Sequence, residues 1–178
     1  MKLNLGAGES KIEGYISIDV EGSCKPDVIC DFTKDSLPYG DGLIEEVLLF
    51  HTIEHIQKRL HKSIFKEVWR VLKPGGRFVL SYPEFKEIAQ RWLTNHKGNK
   101  EFWEATIYGR QLFPSDFHVC AMDSVAVRMA LIESGFLKPK TIAEPEPNEF
   151  NSITIAHKGD RLISYEEQVS RDPIVLIK

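Results

Sequence analysis

The chain has 178 residues, 42% hydrophobic and 28% charged, and its 23 Lys plus Arg against 26 Asp plus Glu give a net charge of −3. This is the composition of one globular domain: it excludes collagen-like and linker-like chains, and its charge balance suits neither a broad nucleic-acid footprint nor a polybasic membrane anchor. No apolar run approaches the roughly 18 residues of a membrane span, Met1 to Gly8 lacks a signal-type apolar stretch, and the odd trio Cys24, Cys30 and Cys120 fits a reducing compartment, so a cytoplasmic location is expected.

Lys2 to Leu5 reads as a first central strand that runs into Gly6-Ala7-Gly8. Tyr15 to Val20 alternates as a second strand with Asp19 at its end, and Pro26 to Phe32 as a third with Asp31 near its end. Asp35 to Gly42 is turn chemistry. Glu45 to Phe50 has the continuous apolar core of a strand buried on both faces. Leu60, Ile64, Val68, Val71 and Leu72 recur at helical spacing and predict a helix over Gln57 to Leu72. Lys73-Pro74-Gly75-Gly76 stops it, with a glycine available for a left-handed cap. Arg77 to Tyr82 is the fifth strand, ended by Pro83. The rhythm is that of a mostly parallel α/β sheet under covering helices. The first three strands are joined so briefly that their covering layer should shrink to loops or single turns.

Phe85 to Leu93 is expected to be helical, and Thr94 to Lys100 a polar loop tip. Glu101 to Phe117 is aromatic-rich and reads either as a lid beside a pocket or as core filler. Ser124 to Ser134 predicts a helix closed by Gly135. Lys140 to Ala143 predicts a strand, Glu144 to Asn151 a turn, and Ser152 to His157 a final strand antiparallel to the others. The tail from Lys158 is charged, with an apolar end at 174–177. One domain over 1–178 is expected, with 85–120 as its acceptor-side insertion.

In an open α/β sheet ligands bind beyond the carboxyl ends of the strands. That rule gathers Gly6, Gly8, Asp19, Asp31 and His51 at one edge. The glycines let backbone approach a ligand closely. Asp19 can accept from a vicinal ribose diol and Asp31 from an exocyclic amine, while Val20 and Phe32 can sandwich a purine. A dinucleotide fits poorly: Lys11 stands where the third glycine of the fingerprint belongs, Asp19 follows Gly8 too soon, and Glu9 would repel a pyrophosphate. No phosphate-binding P-loop run is present.

LNLGAG, SIDV, VICDF, LLFHTIEH and EVWRVLKPGGRFVLSYP resemble the class I S-adenosylmethionine-dependent methyltransferases, and more narrowly a small branch whose first helix is shortened to a loop. The resemblance covers residues 3 to about 85 closely, and 108–118 and 133–136 more loosely. It implies a Rossmann-like, three-layer fold with a seven-stranded, mostly parallel sheet whose last strand is antiparallel. It implies S-adenosyl-L-methionine as cofactor, with Leu5, Gly6, Ala7 and Gly8 beside its methionine part and ribose. Asp19 would hold the ribose hydroxyls, Asp31 or its backbone neighbours the adenine amine, and Phe50 and His51 would border the pocket, with Val20 and Phe32 also counted as cofactor-binding.

Methyl transfer needs a nucleophile held in line with the S–CH3 bond, and an oxygen or nitrogen nucleophile can use a base of near-neutral pKa. His51 and His118 are the candidate catalytic residues. In H-T-I-E-H, a helical stretch would put His51 and His55 on one face beside Glu54. Asp116 would orient His118 if the backbone turns. Tyr108 and Arg110 are candidates for binding an anionic or sugar-like acceptor. No metal is expected: HxxEH is not HExxH, and Cys24 and Cys30 are spaced too widely for a zinc knuckle. Tyr82-Pro83 lacks the N/D-P-P-Y/F run that methyltransferases of amino nitrogens carry there, which turns the reading away from nucleic-acid bases. The expected activity is methyl transfer to a small-molecule or glycan-precursor acceptor. The alternatives are a cofactor-binding domain without turnover and a nucleotide-binding oxidoreductase. So short a chain points either to a small acceptor or to help from a second subunit in a homodimer.

Overall fold

The computed structural model describes residues 1–95, 100–112, 114–144 and 150–160. Its elements in chain order are β1 (Lys2–Leu5), β2 (Ile16–Asp19), β3 (Val28–Ile29), β4 (Ile44–Phe50), α1 (Lys58–Val71), β5 (Leu72–Pro83), α2 (Phe85–Asn95), α3 (Lys100–Tyr108), α4 (Ser124–Glu133), β6 (Phe136–Ala143) and β7 (Asn151–Lys158). The strands form one sheet in the order β3-β2-β1-β4-β5-β7-β6. All pairs are parallel except those of β7, which runs antiparallel to β5 and β6. The expected fold is therefore present.

The first three strands are linked without an α-helix. Turns and one 3-10 turn, Gly22–Cys24, make these connections. β3 is shorter than its predicted Pro26–Phe32. Only Ile18↔Val28 and Asp19↔Ile29 pair, because this edge strand has one neighbour and Ile29 is 67% exposed. The segment 73–76 is not a loop between α1 and β5. Strand pairing resumes at once, with Leu72 opposite Ile44 and a register shift before Glu46↔Arg77. The helix cap is Leu72, whose N–H donates to the Val68 carbonyl, and not a glycine. Glu101 to Phe117 is mostly regular: α3 fills Lys100–Tyr108 and a 3-10 turn fills Pro114–Asp116. Thr94 and Asn95 still belong to α2, while residues 96–99 of the expected loop lie outside the described residues. So do 145–149 of the expected turn and the tail at 161–178. β6 begins at Phe136, earlier than predicted, because that ring is fully buried against Phe78 with centroids 5.5 Å apart.

The core follows from the amphipathic stripe of α1. His61, Ile64, Phe65, Val68 and Val71 are buried, and Phe65 meets Phe78 edge-on with centroids 5.7 Å apart. Edge-to-face geometry of this kind adds about 0.5–1.5 kcal/mol to the burial of the rings. The Tyr82 hydroxyl, fully buried, pairs with Thr154 Oγ1 at 2.8 Å, so no polar atom is stranded there.

Glu46 is the buried acid of the sheet. It is bonded by Arg77 and by the Tyr15 hydroxyl. Burial raises its pKa, but these two partners outweigh burial and hold it below the ordinary glutamate value. A depressed carboxylate pKa adds stability above the unfolded value and loses it as pH falls through the folded value. Glu46→Gln is accordingly expected to cost about 1.5–3 kcal/mol at pH 7. Urea unfolding from pH 7 to pH 3 checks this: the deficit against wild type should shrink on the acid side, and a constant deficit would contradict the assignment.

Candidate functional site

Parallel register aligns the strand ends. Leu5 stands opposite Ile18 on one side and Leu49 on the other. The residues just beyond, Gly6, Asp19 and Phe50, therefore share one edge, at the point where the chain winds away in both directions. Gly6 has φ +63, and a Cβ there would overlap the Thr52 side chain. Gly8 has φ +51 and faces open space. The Gly8 N–H donates to Asp19 Oδ2 at 2.7 Å, and the Glu21 N–H to Oδ1 at 2.9 Å. The acid at the end of β2 thus holds the glycine loop in shape. No α-helix follows this loop before β2.

A cavity of about 670 Å³ opens over this edge. Gly6, Gly8, Asp19, Val20, Asp31 and Phe32 contribute to its wall, and so do His51, Arg110 and His118 from later in the chain. Leu5 and Ala7 are buried and outside its wall, as is the half-buried Phe50. Tyr108 is 56% exposed and lines a separate cavity of about 230 Å³. The two cavities adjoin, sharing Glu54, Pro83, Thr106 and His118 in their walls. The Asp31 carboxylate is engaged by its own turn. Lys34 Nζ lies 2.6 Å from Oδ2, and the Thr33 hydroxyl donates to Oδ1 at 2.5 Å. These partners, Lys34 first, lower its pKa.

The H-T-I-E-H stretch is not a continuous helix. His51 takes φ +47 at the end of β4, and Ile53–His55 form a 3-10 turn. The two histidines diverge in consequence. His51 donates its N–H to the Ser81 carbonyl at 2.9 Å, and its Nε2 lies 3.2 Å from Ser81 Oγ. Its Nδ1 is 3.6 Å from Glu54 Oε1 and its Nε2 is 3.9 Å from Glu144 Oε2. The Glu54 carboxylate, helped by that of Glu144, raises the His51 pKa against the opposing effect of burial.

His55 turns the other way, with Nδ1 3.1 Å from the Phe117 carbonyl. The Val119 N–H donates to the Glu54 carbonyl at 2.9 Å, and the His118 N–H to the Tyr108 carbonyl at 3.0 Å. This clasp sets the His118 ring edge-on against His55, with centroids 4.8 Å apart. Burial pushes the His118 pKa down, although the Glu54 charge opposes it. Asp116 does not orient His118. Its carboxylate accepts from the Leu112 N–H at 3.3 Å and pairs with Arg110 Nε at 3.6 Å.

Reading the sequence missed the weight of two residues. Thr52 fills the space beside Gly6 and carries no signal in the sequence. Glu54 is 1% exposed and neither carboxylate oxygen has a hydrogen-bond partner. An acid between two histidines was its available signal, but not its burial. Among the described residues the three cysteines join no cluster of metal-ligand type, whereas Glu54, His55 and His118 bring ligand atoms within 4.8 Å of one another.

Residues 19–80 match a family model described as a methyltransferase domain. No curated protein sequence matches the chain. Solved structures of the same fold include an S-adenosylmethionine-dependent methyltransferase from Archaeoglobus fulgidus, at TM-score 0.62 and 15% identity, over 88% of this chain and 85% of that one. Another is a Methanosarcina mazei S-adenosylmethionine-dependent methyltransferase, at TM-score 0.58 and 17% identity, over 89% and 92%. A third is the Burkholderia thailandensis 1,6-didemethyltoxoflavin-N1-methyltransferase with bound 1,6-didemethyltoxoflavin and S-adenosylhomocysteine, at TM-score 0.58 and 15% identity, over 89% and 71%. Residues 19–80 thus match a methyltransferase domain, and the seven-stranded sheet has the fold of S-adenosylmethionine-dependent methyltransferases.

Proposed function

We propose that this protein transfers the methyl group of S-adenosyl-L-methionine to a small-molecule or glycan-precursor acceptor. The observation that carries the reading is one cavity of about 670 Å³ walled by the Gly6–Gly8 loop and Asp19 and also by Arg110 and His118. Its volume is that of a small-molecule site. The residues fit the cofactor. Gly8 leaves open space beside the backbone. A carboxylate has about four lone-pair sites, and Asp19 spends its bonds to Gly8 and Glu21 on one per oxygen, which leaves capacity for a ribose diol. Asp19, Glu21, Asp31, Glu54 and Asp116 give the wall an acidic character suited to a sulfonium cation. A dinucleotide pyrophosphate would want a helix N-terminus after β1, and turns stand there instead.

When bound, the cofactor supplies an electrophilic methyl group. The protein's part is to align the acceptor and exclude water. Residues 85–120 form the acceptor side in this reading. His118 contributes a neutral lone pair where the acceptor must lose a proton. Arg110 attracts an anionic group, and His51 borders the methyl. A cytoplasmic location goes with this reading, on the strength of the three free cysteines. No helix among the described residues is long and apolar enough to cross a membrane.

Calorimetry with S-adenosylhomocysteine tests the cofactor, and a micromolar dissociation constant is expected. Radiolabelled methyl transfer across a panel of metabolites and sugar nucleotides tests the acceptor class. Folded protein that gives no heat with S-adenosylhomocysteine, or is stabilised by NAD instead, would sink the reading. Binding without any transfer would favour a cofactor-binding domain without turnover.

A further inference from the structure

We propose that Glu54, His55 and His118 form a binding site for one divalent transition-metal ion at the acceptor end of the cavity. The ion would be of the zinc or cobalt class. Each residue offers one ligand atom, and these atoms all lie within 4.8 Å of one another. Ligands at 2.0–2.2 Å from a shared tetrahedral ion lie about 3.3–3.6 Å apart, so binding draws the three side chains together by up to about 1.5 Å through rotation of the imidazoles.

The second observation is the Glu54 carboxylate. It is 1% exposed, and both oxygens lack a hydrogen-bond donor. Its one ion pair among the described residues is with His51 Nδ1 at 3.6 Å, too long for a hydrogen bond. A buried carboxylate with no hydrogen-bond donor on either oxygen bears a desolvation cost that one long ion pair offsets only in part. A bound cation would remove that cost, and Glu54 already faces two imidazoles.

The surroundings match those of a metal site. A ligating imidazole usually donates its other ring N–H to a carbonyl or carboxylate, which fixes the tautomer. His55 Nδ1 sits 3.1 Å from the Phe117 carbonyl, which leaves Nε2 with the lone pair. His118 also has a hydrogen bond with the Thr106 backbone. Two imidazoles and one carboxylate suit zinc or cobalt better than magnesium. Three protein ligands also leave a coordination position open, as in catalytic zinc sites.

All three residues line the 670 Å³ cavity. The role of the ion therefore rests on the methyl-transfer reading, although its binding does not. A divalent ion at this point lowers the pKa of an acceptor hydroxyl. The hydroxyl proton leaves to water, the new O–CH3 bond forms, the S–CH3 bond breaks, and S-adenosylhomocysteine departs. The His118 lone pair then serves the metal, and the metal acidifies the acceptor.

The test uses untagged full-length protein freed of metal by chelation. Zn²⁺ is titrated by calorimetry and Co²⁺ by visible absorption. One-to-one binding is expected, with cobalt d–d bands of a low-coordinate site and a Zn²⁺-dependent rise in Tm. Glu54→Gln and His118→Ala should each weaken Zn²⁺ by at least tenfold and abolish its thermal shift. Cys24→Ser should leave Zn²⁺ binding unchanged. Glu54→Gln removes the orphan charge, so the metal-free variant should melt no lower than metal-free wild type. Absent saturable binding, or binding indifferent to both substitutions, would overturn the proposal. S-adenosylhomocysteine affinity is measured on the same samples. Cofactor binding without metal binding removes only this inference, and metal binding without cofactor binding removes only the methyl-transfer reading.

Discussion

Asp19→Ala is expected to weaken S-adenosylhomocysteine binding by more than tenfold, which is more than about 1.4 kcal/mol. Two losses combine. The carboxylate is the acceptor proposed for the ribose diol. It also receives the Gly8 and Glu21 N–H groups, so its removal releases the glycine loop from the end of β2. Asp19 is 9% exposed, and two backbone donors would be left without their partner. A stability loss of about 1–3 kcal/mol is therefore expected alongside. Calorimetry well below the Tm of both proteins separates the two effects. Asp19→Asn keeps one acceptor oxygen and should fall between wild type and alanine in affinity. An alanine variant that binds within twofold of wild type would remove Asp19 from the site.

Gly6→Ala is expected to destabilise the protein by about 2–4 kcal/mol, against about 1–2 kcal/mol for Gly8→Ala. Both glycines hold positive φ, at +63 and +51, so both substitutions meet left-handed strain. Only Gly6 also meets a neighbour. Its added Cβ would overlap Thr52, and that side chain is held in place because its hydroxyl donates to the Phe50 carbonyl at 2.9 Å. Gly8 faces open space, so its alanine should instead reduce cofactor affinity, since the methyl group would enter the proposed cofactor volume. Urea unfolding and calorimetry on the two variants give a crossed pattern if this is correct. Thr52→Gly in the Gly6→Ala background should recover part of the lost stability. Equal stability losses in the two single variants would show that Thr52 is not the cause.

Some parts of the site were legible because their cause is local. The glycine loop announced itself, since positive φ next to a strand end selects glycine. Asp19 was legible for a similar reason: strand alternation fixes where β2 ends, and parallel register carries that end to the ligand edge. Asp31 lies in the cavity wall as the strand ends suggested, but no pattern of alternation reveals that Lys34 and Thr33 bond its carboxylate. The H-T-I-E-H spacing suggested two histidines on one helical face. The backbone instead reverses at His51, where the N–H is captured by Ser81 of the neighbouring strand. That bond belongs to sheet packing, not to the five residues themselves. Tyr108 ends α3 and Arg110 follows the chain turn at Gly109, so the two line adjoining cavities that share Glu54 and His118.

By itself, then, the sequence determined the α/β sheet, the helix stripe that covers it and the acids and glycines at the strand ends. Each is written in a period of about two or four residues, or in a backbone angle that few residues tolerate. Only the tertiary structure decided that Glu54 is buried without a hydrogen-bond partner and that His118 reaches His55 from a segment some sixty residues later. The His55–Phe117 bond that anchors this approach spans 62 residues. Contacts over that separation are selected by how whole elements pack, because closing so long a loop is favourable only when many buried contacts offset its entropy together.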